Sequence, residues 1–274
     1  MMIFFQTNPT AIFVFLISLI LSSHHLSTAS DSEAGGTDAH DTPFSYIEGS
    51  GTGPEDWGQL NIPLWIACGN GTMQSPIDIQ QVQGSALGEL ETDYKPAPAK
   101  LVNKGHDIAV EWTQDAGKIT INGTDYQLLK VHWHSPSEHT FNGTRYDLEI
   151  HVVHQSSSGN YAVVGILYKN GSSDPFLEEL HDQIKLIGEQ KIIDLGNIDP
   201  EDIDFDSEEY YRYEGSLTTP PCTERVTWTI FKEVKTVSKE QVDALKAAVD
   251  KGFQSNARPT QQANGRVPDQ YMDD

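Results

Sequence analysis

Between Gly105 and Thr236, apolar residues recur in short alternating runs separated by small polar residues. The spacing predicts strands over residues 107–113, 118–121, 124–134, 145–154 and 161–169. The turns between them carry Asn122-Gly123, Asn142-Gly143, Ser-Ser-Gly-Asn and Asn170-Gly171. Asn-Gly reverses a strand readily because both residues tolerate positive φ. A late stretch, residues 226–234, is rich in β-branched residues and reads as another strand. Two segments switch to helical spacing. Asp174-Pro175 offers an N-cap followed by Pro at the first helical position, ahead of Phe176, Leu180, Ile184 and Ile187. Ser238 and Gln241 form a capping box, Val242, Leu245 and Val249 face inward, and Gly252 is the expected stop. The pattern predicts a mostly β chain with antiparallel pairing and peripheral helices, and shows no internal repeat. Residues 194–209 carry eight carboxylates and read as a solvated loop, with calcium binding as the alternative.

The first 29 residues read as an address. Residues 11–21 are almost entirely apolar, too short a run for the roughly 20 residues a membrane span needs, and Ser27-Thr28-Ala29 fits a cleavage site. A secretory signal is expected over residues 1–29, although no Lys or Arg precedes the apolar run; a signal anchor is the alternative. Residues 30–43 read as a flexible acidic leader and residues 44–270 as one domain. The destination is the secretory pathway and the extracellular space, with no stable membrane insertion after cleavage. Sequons at Asn70, Asn122, Asn142 and Asn170 agree with that route as candidate glycosylation sites. So does the cysteine usage. Cys68 and Cys222 are the only two, and in an oxidising compartment they are most simply one disulfide, two buried thiols being the alternative.

Charge narrows the partners. Eighteen Lys and Arg face 40 Asp and Glu, a formal charge of −22. Nucleic-acid binding needs a basic stripe to displace counterions, and none is present. An anionic membrane surface would repel the chain.

Candidate chemistry sits in two strands. In a strand, residues i and i+2 share a face, so His132 and His134 project together with Trp133 opposite. A lone His-x-His is weak evidence and by itself reads as surface or hydrogen-bonded histidines sooner than as a metal site. The strand after it adds His151, with Glu149 and Val153 on its face and His154 on the other. If the two strands are neighbours, His151 completes a three-imidazole set, which a catalytic zinc with one open position requires. Glu149 is placed to fix the His151 tautomer. His154 reads as a buried, hydrogen-bonded structural residue.

At these residues the chain resembles the α-class carbonic anhydrases of the secreted plant type. The resemblance runs over residues 44–266 and rests on six motifs in family order. They are Gln74-Ser75-Pro76-Ile77-Asp78, Gly105-His106, His132-Trp133-His134, Ser137-Glu138-His139-Thr140, the run from Glu149 to His154, and Gly215-Ser216-Leu217-Thr218-Thr219-Pro220-Pro221 with Trp228. It implies a single domain around a large, twisted, predominantly antiparallel sheet, with zinc in a conical cleft and a disulfide joining Cys68 and Cys222. The implied activity is that of a zinc lyase, a carbonate dehydratase: reversible hydration of carbon dioxide to bicarbonate and a proton by zinc-bound hydroxide.

The resemblance also implies roles. His132, His134 and His151 match the zinc ligands. Glu138 and Thr218 match a pair that orients the hydroxide, Thr218 donating its hydroxyl hydrogen to the carboxylate. Thr219 matches a substrate contact, and Val153, Val163, Leu217, Val226 and Trp228 match the apolar wall that receives carbon dioxide. His106 matches the proton shuttle; without the resemblance, a histidine after Gly reads as an inert surface residue. Two departures stand out. Lys130, on the His132 face, replaces a common Gln whose carbonyl accepts a ligand N–H, and a charged lysine cannot accept. Asn256-Ala257-Arg258-Pro259 has Ala where an aromatic is common, with Asn256 offering a backbone acceptor. The expectation is an active enzyme weaker than the family's best. The alternative is a storage or binding protein on the same fold with weak or no activity, since some plant relatives accumulate as abundant proteins that have lost ligands. Some relatives also reach plastids through the secretory route. Oligomeric state is not legible.

Overall fold

In chain order the helices are α1 (Trp57–Leu60), α2 (Ala67–Asn70), α3 (Pro175–Gln190) and α4 (Lys239–Ala248). The strands are β1 (Asp78–Ile79), β2 (Gln83–Gly84), β3 (Glu91–Tyr94), β4 (Ala97–Asn103), β5 (Ile108–Trp112), β6 (Gly117–Ile121), β7 (Thr124–His134), β8 (Thr140–Phe141), β9 (Leu148–Ser156), β10 (Tyr161–Asn170), β11 (Ile192–Ile198), β12 (Glu209–Ser216), β13 (Glu224–Val237) and β14 (Asp269–Met272). The computed structural model describes residues 44–84, 86–205 and 209–272, all within one compact unit. The expected signal and acidic leader lie outside the described residues. Among the described residues no helix is long and apolar enough to cross a membrane.

One 12-stranded sheet dominates, running β11-β4-β5-β7-β9-β10-β13-β12-β14-β2, with β6 beside β7 and β3 beside β6. Pairing in it is antiparallel except at β10·β13 and β14·β2. The mostly β, largely antiparallel expectation therefore holds. Asn122 and Gly123 take φ of 50° and 73°, closing the β6–β7 hairpin that their sequence announces. The α3 cap is also as read: Asp174 accepts from the Leu177 N–H ahead of Pro175. Helix α4 opens with the complete Ser238–Gln241 capping box.

Alternation along β9 sorts the two faces. Leu148, Ile150 and Val152 join Val131, Trp133 and the apolar side of α3 in the main core. Glu149, His151 and Val153 point the other way. His154 falls on the core side, buried, its Nε2 2.7 Å from the Tyr94 hydroxyl and its Nδ1 3.3 Å from the Ala162 carbonyl. β7 does not alternate throughout. Its register against β9 slips between Leu128 and Lys130, so one extra residue is accommodated and every side chain beyond it changes face. Tyr126, Leu128, Val131 and Trp133 thereby all reach the core, while Lys130, His132 and His134 share the opposite face.

Three readings need correction. Helix α4 ends at Ala248, with Val249 extended as its cap, and Gly252 (φ 101°) lies in the turn beyond it. The acidic stretch is not wholly loop: its first part belongs to β11, an edge strand paired to β4, followed by a 3-10 turn over Pro200–Ile203. The strands before Gly105 were not foreseen. Their residues are few, or, as in Ala97-Pro98-Ala99, alternate in burial without β-branched side chains to announce it.

A smaller cluster of Phe44, Trp57, Trp65, Cys68 and Cys222 packs apart from the main core. The two cysteines form a disulfide across a sequence separation of 154. Closing so long a loop restricts the unfolded chain by about 5 kcal/mol. Replacing both cysteines by serine is expected to remove up to about that much stability, read as a lower urea midpoint in equilibrium unfolding; an unchanged midpoint would refute it.

Candidate metal centre

His132 and His151 are directly paired across β7 and β9, and His134 lies one alternation further along. Ring centroids are 5.0 Å apart for His132–His134, 5.1 Å for His132–His151 and 4.6 Å for His134–His151. One nitrogen from each falls within 4.8 Å of the others, an arrangement that could hold a metal ion.

Hydrogen bonding selects the free nitrogens. His134 Nδ1 donates to the Asn256 carbonyl at 2.7 Å, which leaves Nε2 buried without a partner. His151 Nε2 donates to Glu149 Oε1 at 2.7 Å, leaving Nδ1. Burial, with the neighbouring His134, His151 and Lys130 charges, keeps His132 well below the ordinary imidazole range. Burial also lowers His151 against the pull of Glu149. Neutral rings with an unengaged nitrogen are what metal coordination requires. On donor chemistry and orphaned atoms, the three residues fit a borderline-soft divalent cation.

Glu149 is the most heavily bonded carboxylate in the region. Oε2 accepts the backbone N–H groups of Glu138 and His139, both at 2.8 Å, and Oε1 also accepts from His139 Nδ1 at 2.7 Å. Burial alone would raise its pKa, but the adjacent His139 and His151 hold it well below the carboxylate range. The contact continues outward: the Tyr213 hydroxyl donates to His139 Nε2 at 2.7 Å and lies 2.7 Å from Ser75 Oγ. These bonds account for the proximity of His139, Glu149 and His151 as a hydrogen-bonded group. Gly165 faces His151 across β9 and β10. A Cβ there would sit 2.7 Å from Ile230 Cδ1 and 3.2 Å from Glu149 Oε1, so any side chain at this strand position would have to displace the Ile230 tip and press on the carboxylate that holds His151.

Glu138 is wholly buried. Oε1 accepts the Arg258 N–H at 2.8 Å, and Oε2, with no hydrogen-bond partner, lies 3.5 Å from His134 Nε2. The Thr218–Glu138 hydrogen bond implied by the resemblance is not made, Glu138 Oε2 having no partner; Thr218 is buried in the segment leading to Cys222, whose N–H donates to the Thr219 carbonyl. Val153, Val163, Val226 and Trp228 form one apolar cluster with Leu217 against it, and the Trp228 ring lies 4.8 Å from His151. The resemblance's apolar wall is thus contiguous with the third histidine.

The Lys130 departure has a visible counterpart: His132 Nδ1 is buried without a hydrogen-bond partner. His106 is buried too, beside Phe44 and Phe253, rather than at the surface. All four sequon asparagines are exposed.

Several contributors escaped sequence reasoning. Arg258 is fully buried and donates to Gln74 Oε1, the Ser75 carbonyl and the Cys68 carbonyl. With its own N–H on Glu138, it ties the disulfide segment to the histidine site. Ser75 and His139 stand in motifs that the sequence displays, without a stated role there; Tyr213 carries no local signal.

Comparison with known proteins agrees with this geometry. The profile of the eukaryotic-type carbonic anhydrase family matches residues 52–268. The chain is 49% identical to alpha carbonic anhydrase 4 of Arabidopsis thaliana over 263 residues, covering 95% of this chain and 96% of the relative. It is 48% identical to dioscorin DB3L of Dioscorea polystachya, covering 93% of each. Among solved structures, dioscorin complexed with ascorbate superposes with a TM-score of 0.82 at 45% identity, covering 84% of this chain and 98% of that one. The α-carbonic anhydrase of Photobacterium profundum gives a TM-score of 0.73 at 35% identity, covering 82% and 99%.

Proposed function

Because this chain belongs to the eukaryotic-type carbonic anhydrase family, we propose that it is an active zinc enzyme catalysing the reversible hydration of carbon dioxide to bicarbonate and a proton. The observation that carries this reading is the intact set of three buried imidazoles that each offer a nitrogen within 4.8 Å of the others. His132, His134 and His151 would hold the ion. When bound, zinc would supply an acidified water and a Lewis-acid centre, and three neutral ligands would leave its charge undiminished.

The chain's own groups do the rest. Val153, Val163, Leu217, Val226 and Trp228 offer carbon dioxide a dry wall beside His151, suited to an uncharged, apolar substrate. Thr218 and Thr219 supply hydroxyls at that wall. Glu138 Oε2, buried without a partner, is the acceptor available to the Thr218 hydroxyl; with its hydrogen so engaged, Thr218 Oγ1 can only accept from the reacting water and orients it. His106 carries the proton away. Glu149 and Asn256 hold two of the rings in one tautomer.

The domain spans residues 44–270, behind a secretory signal over 1–29 and a leader over 30–43. The site of action is extracellular or apoplastic, with a plastid reached through the secretory route as the alternative. The disulfide and the four exposed sequons support that route. A second reading, a binding protein with weak or no activity, draws on one observation: His132 Nδ1 lacks the acceptor that Lys130 cannot provide. The dioscorin relatives give it context.

Zinc content and stopped-flow hydration of carbon dioxide, measured on one purified sample of the mature chain, separate the two. Close to one zinc per chain, with hydration blocked by a sulfonamide, is the expected result. Stoichiometric zinc without hydration would overturn the enzyme reading.

A further inference from the structure

Asp107 is a buried carboxylate two residues after Gly105, outside the histidine trio. Its side chain is 4% exposed, Oδ1 has no hydrogen-bond partner, and Oδ2 lies 3.5 Å from His106 Nε2. Taking a carboxylate out of water without hydrogen bonds is costly, and native folds keep such groups rarely and for a reason. The turn at residues 104–107 does not use this side chain: Lys104 N–H donates to the Asp107 main-chain carbonyl at 3.0 Å.

Its neighbour is equally constrained. His106 lies between Phe44, at 5.3 Å between ring centroids, and Phe253, at 6.4 Å. Its backbone is pinned because Asn256 Nδ2 donates to the His106 carbonyl at 2.9 Å and Asp250 N–H donates to the Gly105 carbonyl at 2.8 Å. A ring so enclosed is not a freely swinging carrier. Its Nδ1 is buried and unpartnered.

We infer that Asp107 is a positioning residue for proton transfer: it faces His106 Nε2–H, fixes that tautomer, leaves Nδ1 as the proton acceptor and stabilises the imidazolium formed there. The proton arrives at Nδ1 from water and is returned to solvent or buffer, with no net change in the dyad. This deepens the hydration reading and rests on it. The energetic need is clear. Burial lowers the affinity of His106 for a proton, and Asp107 opposes that. The other charged and titratable groups that act on this pair are Lys104 and Lys130, which disfavour the imidazolium, His134, and Tyr46 from the N-terminal segment. Lys104 is itself paired to Glu111 at 2.7 Å. Asp107 is the one anion among the principal influences on His106.

Two measurements on Asp107→Asn and Asp107→Glu test this. On the hydration reading, proton export comes after bicarbonate release, so in weak buffer it would limit kcat and leave kcat/KM untouched. In weak buffer Asp107→Asn should lower kcat for hydration about tenfold, the effect of one pKa unit in the carrier. It should preserve kcat/KM, recover with added imidazole, and be largely avoided in Asp107→Glu. Independently of zinc and activity, ¹⁵N side-chain NMR should show His106 as a single Nε2–H tautomer that becomes mixed in Asp107→Asn. An unchanged tautomer, an unchanged kcat, or a joint fall of kcat and kcat/KM that imidazole does not rescue would overturn the assignment. A wild-type chain with zinc but no hydration would overturn the functional reading instead, and the tautomer measurement would still decide the role of Asp107.

Discussion

Replacing His134 with alanine should leave a folded protein that neither retains zinc nor hydrates carbon dioxide. His134 is fully buried, its Nδ1 is anchored on the Asn256 carbonyl at 2.7 Å, and its Nε2 has no other partner to lose. Structural zinc sites with four ligands bind with roughly 10–16 kcal/mol, so one ligand in four is worth about 3–4 kcal/mol, or roughly 10²–10³ in affinity. The ring belongs to the end of β7 and not to the main core, so stability should fall far less than metal retention. Zinc analysis after dialysis, with circular dichroism on the same sample, checks both halves. A variant that keeps stoichiometric zinc and full hydration would remove His134 from the ligand set.

Lys130→Gln should work in the opposite direction. His132 Nδ1 is buried with no acceptor, and leaving a buried donor unmet costs about 1–3 kcal/mol. A glutamine carbonyl on the same strand face can accept that N–H. Groups of this kind that support a metal ligand are worth about 10–100-fold in affinity or activity, so zinc loss to a chelator should slow by about that factor. Burial and Lys104 already depress the Lys130 amine, with Asp107 and Glu111 opposing, so removing it should not strand a strong ion pair. Unchanged or faster zinc loss would show that water or another group already serves His132.

Much of this was legible in the chain because local rules and the global fold agree. The β9 alternation put Glu149, His151 and Val153 on one face and His154 on the other, and the sheet keeps that division. The Asn122-Gly123 turn, the Asp174-Pro175 start and the Ser238–Gln241 box are short-range signals whose chemistry acts within a few residues. What was hidden depends on distant parts of the chain. The register slip after Leu128 cannot be read from a run that alternates acceptably either way, yet it decides that Lys130 and His132 share one face while Leu128 enters the core on the other. The Arg258 contacts span 120 residues to Glu138 and 190 to Cys68, beyond the reach of any periodicity. The burial of His106 was missed because a Gly-His pair reads as a surface turn; Phe44 and Phe253, which cover it, come from the two ends of the domain.

The proposed activity requires three imidazoles from β7 and β9 to grip zinc while one coordination position stays open. Zinc K-edge X-ray absorption on the purified chain tests this most directly. It should report four light donors, three of them imidazole nitrogens at about 2.0–2.1 Å, and a fourth that exchanges when a sulfonamide is added. A fourth position filled by a protein carboxylate, for which Glu138 Oε2 lies near enough to His134, or fewer than three imidazoles, would contradict it.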